Sequence, residues 1–393
     1  MNPKKMIPAF VLALIFVTVL LICCMRPPRE TGAPESADTP HISGISKNHV
    51  FHSGELRGVW VPYFSIGDGE AMSREEFEAR FDDIIKTARS HSVNTLFVHV
   101  RSHCDAAYPS RIYPFSDIYR KNGRNPDYDP LEYMVDASHK AGLEFHAWIN
   151  PYRISSADKT PPKTGIISEW IEEGSDEIIE YGGGLYLDPA SAKARSLIID
   201  GVRELAENYD IDGVHLDDYF YAFTQTDADA PDYEEYLQSV SNGKGALSVT
   251  QWRQANVNVL ISGIYSAVKS ADEQMLFGIS PQGNIENDLM LGADVYEWCG
   301  KNGYIDYIAP QIYFNDENEV CPFRQTADRW KQLADSGSVH LYIGLALYKA
   351  GSDEDGGTWQ DRTIIPDQIA YTRSIGADGY ILYAYDQLEN GFI

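Results

Sequence analysis

Two adjacent carboxylates form the most chemically suggestive stretch of this chain. Asp217 and Asp218 follow a short apolar run and precede aromatic residues in the sequence DGVHLDDYFY, residues 212–221. Two neighbouring carboxyl groups near a cation can hold different protonation states, one ionised and one protonated. Hydrolysis of a glycosidic bond needs this division between a proton donor and a base or nucleophile. The pair therefore indicates acid–base hydrolysis, with capping of the next turn or helix as the structural alternative.

The partner of Asp217 is less sharply defined by the sequence. Besides Asp218, the acidic residues near predicted strand ends are Asp105, Asp188, Glu286, Asp288 and Asp294. For any one of these five, a loop cap or turn is the commoner role. Asp386 ends the last predicted strand but shares its parity with helix-facing residues, so we exclude it. We predict Asp217 as the essential carboxylate, with Asp218 or Asp105 as its partner.

The elements that must position these residues are eight short apolar runs that alternate with helical patterns. The predicted strands are Leu56–Tyr63, Thr95–Ser102, Glu144–Pro151, Gly213–Tyr219, Met275–Pro281, Asp306–Tyr313, Leu341–Tyr348 and Gly379–Asp386. The predicted helices include Ser73–Ser90, Pro130–Ala141, Ala192–Asn208 and Thr250–Ser270. This alternation is typical of parallel strands joined by right-handed crossovers. Eight repeats favour a closed (β/α)₈ TIM barrel over an open doubly wound sheet. Only seven residues follow Asp386, too few for an eighth helix, and residues before the first strand are the candidates to cover that side.

Strand parity predicts which side chains point into the barrel, because alternate residues face the helices and the lumen. In the second strand Leu96, Val98 and Val100 form the apolar outer set, which turns Phe97, His99 and Arg101 inward. The same reasoning on the next four strands turns inward His146, Trp148, Asn150, His215, Asp217, Gly278, Ser280, Gln282, Ala309, Gln311 and Tyr313. The polar members collect toward the C-terminal strand ends, where the active sites of TIM barrels lie.

Aromatic residues concentrate at the same predicted rim. They are Trp60, Trp148, Tyr152, Tyr219, Phe220, Tyr221, Tyr313 and Tyr348. Flat apolar rings with polar edges suit a sugar, which also has apolar faces and hydroxyl rims. The rim therefore indicates a glycan substrate.

Several of these blocks resemble a known family. The sequences ELRGVW (55–60), DAAYPS (105–110), HAWINPYR (146–153), GISP (278–281) and YIAPQIY (307–313), together with residues 212–221, are similar to the bacterial glycosyl-hydrolase-like 10 family. The resemblance implies a glycosidase-type (β/α)₈ barrel in envelope-associated or secreted proteins. Some relatives are lipoproteins that cut peptidoglycan strands stripped of their stem peptides.

The fourth-strand block also looks like the amylase-type Asp-Gly-x-x-x-Asp signature, with Asp217 at the nucleophile position. His215 stands where those enzymes carry Arg, and Ser280-Pro281-Gln282 follows the fifth strand, where they place a Glu proton donor. An amylase mechanism therefore does not transfer to this chain.

Composition limits the partners. The formal net charge is -26 at pH 7, which repels phosphate backbones and excludes nucleic acid as an expected partner. The five cysteines lack metal-ligand spacing, so we expect buried or unpaired thiols and predict no metal or cofactor. The oligomeric state is not specified by the sequence.

The N-terminus predicts attachment to the cell membrane. Lys4 and Lys5 precede an apolar run from Met6 to Met25, long enough for a membrane-spanning helix with its N-terminus in the cytoplasm. For residues 1–26 we favour a signal anchor over a lipoprotein signal ending at Cys23 or Cys24, and the small-x-small pattern of ordinary cleavage is absent. Residues 27–53 read as a flexible stalk and residues 54–393 as the barrel, which is expected outside the cytoplasm.

These inferences predict a glycoside hydrolase that acts on an extracytoplasmic polysaccharide, with peptidoglycan glycan as the leading substrate. The residues expected to bind the sugar or tune protonation are Arg101, His146, Trp148, Asn150, Arg153, His215, Tyr219, Gln311 and Tyr313. An acetamido oxygen of the substrate is an alternative to an enzyme nucleophile. The rival functions are a non-catalytic glycan-binding barrel and a metal-dependent hydrolase.

Overall fold

The computed structural model describes residues 49, 54–67, 72–120, 123–156, 159–224, 228–240 and 245–393. The predicted anchor (1–26) and stalk (27–53) fall outside the described residues, apart from His49. Within the described part of the chain, no helix combines the length and apolarity needed to cross a bilayer.

The fold is a closed barrel of eight parallel strands. These are β1 (Leu56–Val61), β2 (Thr95–Arg101), β3 (Glu144–Ile149), β6 (Gly213–Leu216), β7 (Leu276–Ile279), β8 (Tyr307–Ile308), β9 (His340–Leu345) and β10 (Gly379–Leu382), and β10 closes onto β1. Each contains the core of one predicted strand, so the predicted (β/α)₈ barrel is confirmed. A separate antiparallel hairpin, β4 (Ile178–Tyr181) and β5 (Gly184–Leu187), lies between β3 and β6 in the chain and was not predicted.

The helices surround the barrel. They are α1 (Tyr63–Ile66), α2 (Arg74–Ser90), α3 (Pro130–Lys140), α4 (Ile166–Glu173), α5 (Ala192–Asn208), α6 (Ala230–Ser239), α7 (Val249–Ala271), α8 (Ile285–Met290), α9 (Val295–Gly300), α10 (Phe323–Asp335) and α11 (Ile364–Ser374). The predicted capping box at the start of α2 is present, because Ser73 Oγ accepts from the Glu76 N–H and Glu76 Oε2 accepts from the Ser73 N–H. Two orphan donors of the first turn are thereby satisfied.

The interior has two apolar layers. Outward strand residues such as Val98 and Phe145 pack against the helices, while a separate cluster of Leu56, Trp60, Phe97, Trp148, Tyr307, Ala309, Tyr342 and Ile381 fills the lumen. Gly278 makes room for this filling, because a Cβ at that position would lie 2.2 Å from the Tyr307 ring. The buried, unpaired state of Cys104, Cys299 and Cys321 agrees with expectation.

The side of the barrel after β10 is closed by a short 3₁₀ helix, Tyr385–Asn390, which packs against α2 and β1. Leu388 is fully buried there, and Asp386 accepts a hydrogen bond of 2.5 Å from Ser65 Oγ. Asp386 therefore holds this turn in place and does not line the barrel mouth. The cover expected from residues before β1 lies outside the described residues.

Candidate active site

A pocket of about 280 Å³ opens where the barrel strands end. Its lining residues are Trp60, Pro62, Tyr63, Phe64, His99, Trp148, Arg153, Asp217, Asp218, Tyr219, Ser280, Gln311, Tyr313, Tyr348 and Tyr383. A larger groove of about 1490 Å³ runs outside the barrel along α2 and α3, with a mostly charged lining. The smaller pocket is the candidate site, because it holds both carboxylates at the face where TIM barrels place their chemistry.

Asp217 is buried, with only 3% of its surface exposed, just beyond the end of β6. Its Oδ2 accepts hydrogen bonds from Trp148 Nε1 at 3.1 Å and Asn150 Nδ2 at 3.3 Å, and its Oδ1 accepts from the Tyr219 N–H at 3.4 Å. Burial, followed by the negative charge of Asp218, raises the pKa of Asp217 to about 7. The carboxyl group is thus partly protonated near neutral pH, as a proton donor must be.

Asp218 faces the same pocket from the first loop position after Asp217. Gln311 Nε2 donates to its Oδ1 at 3.2 Å and also to the Ser280 carbonyl at 3.0 Å, which fixes the orientation of the amide. Burial raises the pKa of Asp218, and hydrogen bonds from Gln311 and Gln282 act against that rise by favouring the ionised form. Two carboxyl groups at one site with different hydrogen-bond partners meet the requirement for divided acid and base roles.

Aromatic side chains form the walls of the pocket. Trp148 stacks on His99 with ring centroids 3.9 Å apart, and Tyr313, Tyr348 and Tyr383 contact one another edge-on or at a tilt. At the mouth, the Arg153 guanidinium lies 4.5 Å from the centre of the Tyr219 ring, which is 43% exposed. Such walls can stack against sugar faces while Arg153 and the carboxylates contact hydroxyl groups.

Comparison with known proteins identifies the family. The model of the family described as glycosyl hydrolase-like 10 matches residues 55–361. The chain belongs to this family.

Two curated relatives agree with the assignment, and a solved structure shares the fold. Glycosyl hydrolase YngK of Bacillus subtilis (strain 168) is 34% identical over 344 residues, a match that spans 82% of this chain and 66% of the relative. Glycosyl hydrolase DigH of Escherichia coli (strain K12) is 30% identical over 377 residues, or 86% of this chain and 83% of that protein. The PgaB (BpsB) glycoside hydrolase domain from Bordetella bronchiseptica shares the fold, with a TM-score of 0.55 and 14% identity over 85% of this chain and 95% of that domain.

Most residues predicted to surround Asp217 in this family member do lie at the pocket. Trp148, Arg153, Tyr219, Gln311 and Tyr313 line it. Asn150 lies directly behind Asp217, where its side chain donates to the carboxylate and accepts from the Arg153 N–H at 3.1 Å. Asn150 therefore links the two charged residues without reaching the pocket surface.

His146 and His215 point inward as predicted but lie too deep to touch a substrate. Both rings contact the Tyr307 hydroxyl at 3.0 Å, and His215 Nε2 accepts from Trp60 Nε1 at 3.1 Å. Neither residue lines the pocket, and burial lowers the pKa of His215 well below its usual value. Both histidines therefore support the floor beneath Trp60 and Trp148 and are not placed to contact a sugar in the pocket, while their predicted role in tuning protonation stays a prediction.

The predicted inward direction of Arg101 is also wrong. A register shift in β2 pairs His99 with Trp148 but Arg101 with Ile149, so Val100 is an additional residue in the strand. This β-bulge reverses the parity and turns Arg101 toward the helices. The guanidinium lies 4.6 Å from the centre of the Tyr113 ring and beside Gly201 of α5.

Asp105 lies outside the pocket and is corrected from catalytic partner to loop residue. Its Oδ1 accepts from the backbone N–H groups of Ser102 and His103, and its Oδ2 pairs with Lys159 at 3.4 Å. Burial raises its pKa, but Lys159 and the hydrogen bonds outweigh burial and hold the pKa at about 2. Because Asp105 does not line the pocket and both of its oxygens are engaged within the loop, it is not placed to act on a substrate beside Asp217.

The other acidic candidates have the loop-capping or turn roles that the sequence analysis gives as the commoner role for each of them. Asp188 accepts from the Ala190 N–H, Glu286 pairs with Arg329 at 2.9 Å, Asp288 accepts from the Gln282 N–H, and Asp294 caps α9. Among the described residues, no group of three or more His, Cys, Asp or Glu side chains is arranged to hold a metal ion.

Eight of the residues that line the pocket were not among the predicted site residues, and three of them show why. His99 was expected to point inward but was not included among the residues predicted to bind the sugar. Leu382 has the outward parity of β10, so the next residue, Tyr383, has the inward parity. The same alternation could therefore have identified Tyr383 as a pocket residue. Tyr63 belongs to α1, a single turn after β1 for which the sequence gives no signal.

Proposed function

We propose that this protein is a glycoside hydrolase that works outside the cytoplasm and cleaves the glycan strands of peptidoglycan. One observation carries the proposal: Asp217 and Asp218 face a single aromatic-walled pocket at the C-terminal end of a glycosyl hydrolase-like 10 barrel. The predicted membrane anchor supports the location. The resemblance to proteins that cut peptide-free strands supports the substrate.

In the proposed reaction, Asp217 acts as the acid. Its protonated carboxyl donates to the glycosidic oxygen as the bond from that oxygen to the anomeric carbon breaks, and the leaving sugar departs as an alcohol. Asp218, whose ionised form the hydrogen bond from Gln311 favours, stabilises the positive charge that develops on the ring. Water then adds its hydroxyl to the anomeric carbon and returns a proton to Asp217, so one water is consumed for each bond cleaved.

An N-acetylated sugar offers a second role for Asp218. The acetamido oxygen can attack the anomeric carbon in place of an enzyme nucleophile, and an ionised carboxylate beside the amide N–H would orient it. This route needs one firm acid and one orienting carboxylate. The distinct surroundings of Asp217 and Asp218 fit that pair of requirements.

The test is product analysis by mass spectrometry after incubation of the protein with intact and with peptide-free peptidoglycan. We expect Asp217→Asn to abolish cleavage, a loss of at least about 1000-fold, because it removes the proton donor. Asp188→Asn is the matched control, since Asp188 is also buried with a pKa raised to about 7 but does not line the pocket. Asp188→Asn should retain turnover.

Two results would contradict the proposal. Retained cleavage by Asp217→Asn would remove that residue from the chemistry. Saturable glycan binding by the unaltered protein without any product would instead identify a non-catalytic binding barrel.

A further inference from the structure

A second cavity, of about 260 Å³, lies next to the candidate active site. It is formed by the loops after β2 and β3, the strands that also deliver His99, Trp148 and Arg153 to the pocket. Both cavities therefore open at the C-terminal end of the barrel. The proposed mechanism uses none of the side chains that line this second cavity.

The two cavities share a wall that is one side chain thick. Tyr63 lines the active-site pocket, and its ring lies 4.7 Å from Lys159 Nζ and 5.7 Å from the His103 ring. Lys159 and His103 line the second cavity. The ring of Tyr63 thus separates the pocket from the second cavity.

The second cavity is positively charged although the chain carries a net charge of -26. Arg120, Lys159 and Lys163 line it, against two acidic residues, Asp105 and Asp117. Lys159 pairs with Asp105 at 3.4 Å and Arg120 with Asp117 at 3.2 Å. These pairs account for both acids and leave one cation in excess.

Spare donors accompany this excess charge. No acidic group of the described residues lies within ion-pair distance of Lys163, and the buried Nε of Arg120 has no hydrogen-bond partner there. Burial, followed by the charges of Arg153 and Lys159, lowers the pKa of His103 to about 3, so this ring is neutral and the cations determine the local potential. A buried donor without a partner, beside excess positive charge and the exposed Lys163, suits an anionic ligand group.

We propose that this cavity binds a carboxylate on the sugar adjacent to the cleaved bond, which makes acidic glycans the preferred substrate class. The inference rests on the proposed function and deepens it. The net negative charge of the chain opposes contact with an acidic glycan, so the local positive charge of this cavity favours binding of the carboxylate here. In peptidoglycan the lactyl carboxyl group of muramic acid is free only where the stem peptide has been removed, so the cavity provides a physical basis for selecting peptide-free strands.

The test compares peptide-free oligomers of alternating N-acetylglucosamine and N-acetylmuramic acid with the same oligomers after conversion of their carboxyl groups to methylamides. Binding is measured by calorimetry on the full chain carrying Asp217→Asn, and kcat/KM is measured on the chain without that change. We expect tighter binding of the carboxylate form. Lys163→Met should reduce that preference roughly fivefold, and Lys163→Glu should reduce it further.

Lys301→Met is the matched control. Lys301 is also exposed but follows α9 at the opposite end of the barrel, where it pairs with Glu297, so the preference should stay unchanged. Equal binding of the carboxylate and methylamide forms, or an equal effect of the Lys163 and Lys301 changes, would overturn the inference. Cleavage without a carboxylate preference would reject the inference and leave the proposed function intact. A Lys163-dependent preference for the carboxylate form without any cleavage would support the inference and reject the proposed function.

Discussion

Buried aspartates in this protein differ in role because of their surroundings and their access to the pocket. Asp217 and Asp188 both have a pKa raised to about 7 by burial, whereas the pKa of Asp105 is held at about 2 beside Lys159. A raised pKa alone therefore does not identify the acid. Asp217 is distinguished from Asp188 by lining the pocket together with a second carboxylate, and it is this combination that favours it.

The raised pKa of Asp217 predicts the alkaline limb of the activity. An acid with a pKa of about 7 is protonated below that pH, so kcat/KM should fall about tenfold per pH unit as pH rises above about 7. The measurement is kcat/KM for glycan cleavage between pH 5 and 9. Asp188→Asn should show the same limb, because Asp188 titrates in the same range without touching the substrate. A rate that stays constant up to pH 9 would argue against Asp217 as the proton donor.

At the scale of elements, alternation predicted the barrel strands and most inward residues but failed at the end of β2. Apolar and inward-facing residues alternate regularly from Thr95 to Arg101, and the residue types do not predict the bulge at Val100. A bulge depends on how neighbouring strands pair, which one strand's own sequence does not record. For the same reason parity gave the inward direction of the two deep histidines, His146 and His215, but not their depth. The β4–β5 hairpin and the short helix α1 that carries Tyr63 depend on tertiary contacts that lack a local pattern.

The bulge leads to a prediction about two arginines near the ends of neighbouring strands. Arg101→Met should leave kcat/KM within about twofold of its starting value, because Arg101 packs against Tyr113 and α5 outside the lumen. Arg153→Met should raise KM roughly tenfold, since Arg153 lines the pocket over Tyr219. Both changes remove one charge and keep a long side chain. Steady-state kinetics on the two variants therefore compares the effect of the position of the arginine alone. An equal loss of activity in the two variants would mean that Arg101 acts at the site.

For the whole molecule, the two ends of β6 have separate tasks. Asp217 lies at the C-terminal end in the pocket, whereas Asp212 precedes the strand at the opposite end of the barrel. Asp212 accepts from the Phe145 N–H at 2.7 Å, from His139 Nε2 at 2.8 Å, and contacts His49 Nδ1 at 3.5 Å. Asp212 thereby connects β3, α3 and His49, which precedes the first barrel strand. Contacts at this face stabilise a TIM barrel without taking part in its chemistry.

This cluster predicts how stability depends on pH. Burial opposes protonation of His139, but hydrogen bonding and charge from Asp212, with Asp210, outweigh it and raise the pKa of His139; Asp212 in turn has a pKa lowered to about 2. The stabilisation that His139 contributes to the folded state is complete below the ordinary pKa of histidine and disappears as pH rises through the raised pKa. The stabilisation contributed by Asp212 disappears only in strong acid. The free energy of unfolding of the unaltered protein should therefore fall from pH 5.5 to pH 8.0 by about 1 kcal/mol more than that of His139→Gln. Urea unfolding of both proteins at the two pH values measures the difference. Asp217 and Asp188 also titrate in this interval, but they do so in both proteins and cancel. The pKa of His49 is raised by the same Asp212, and His49 is coupled to His139, so the comparison is repeated with His49→Gln in both proteins. An identical fall there would show that His139 is not charged in the folded state.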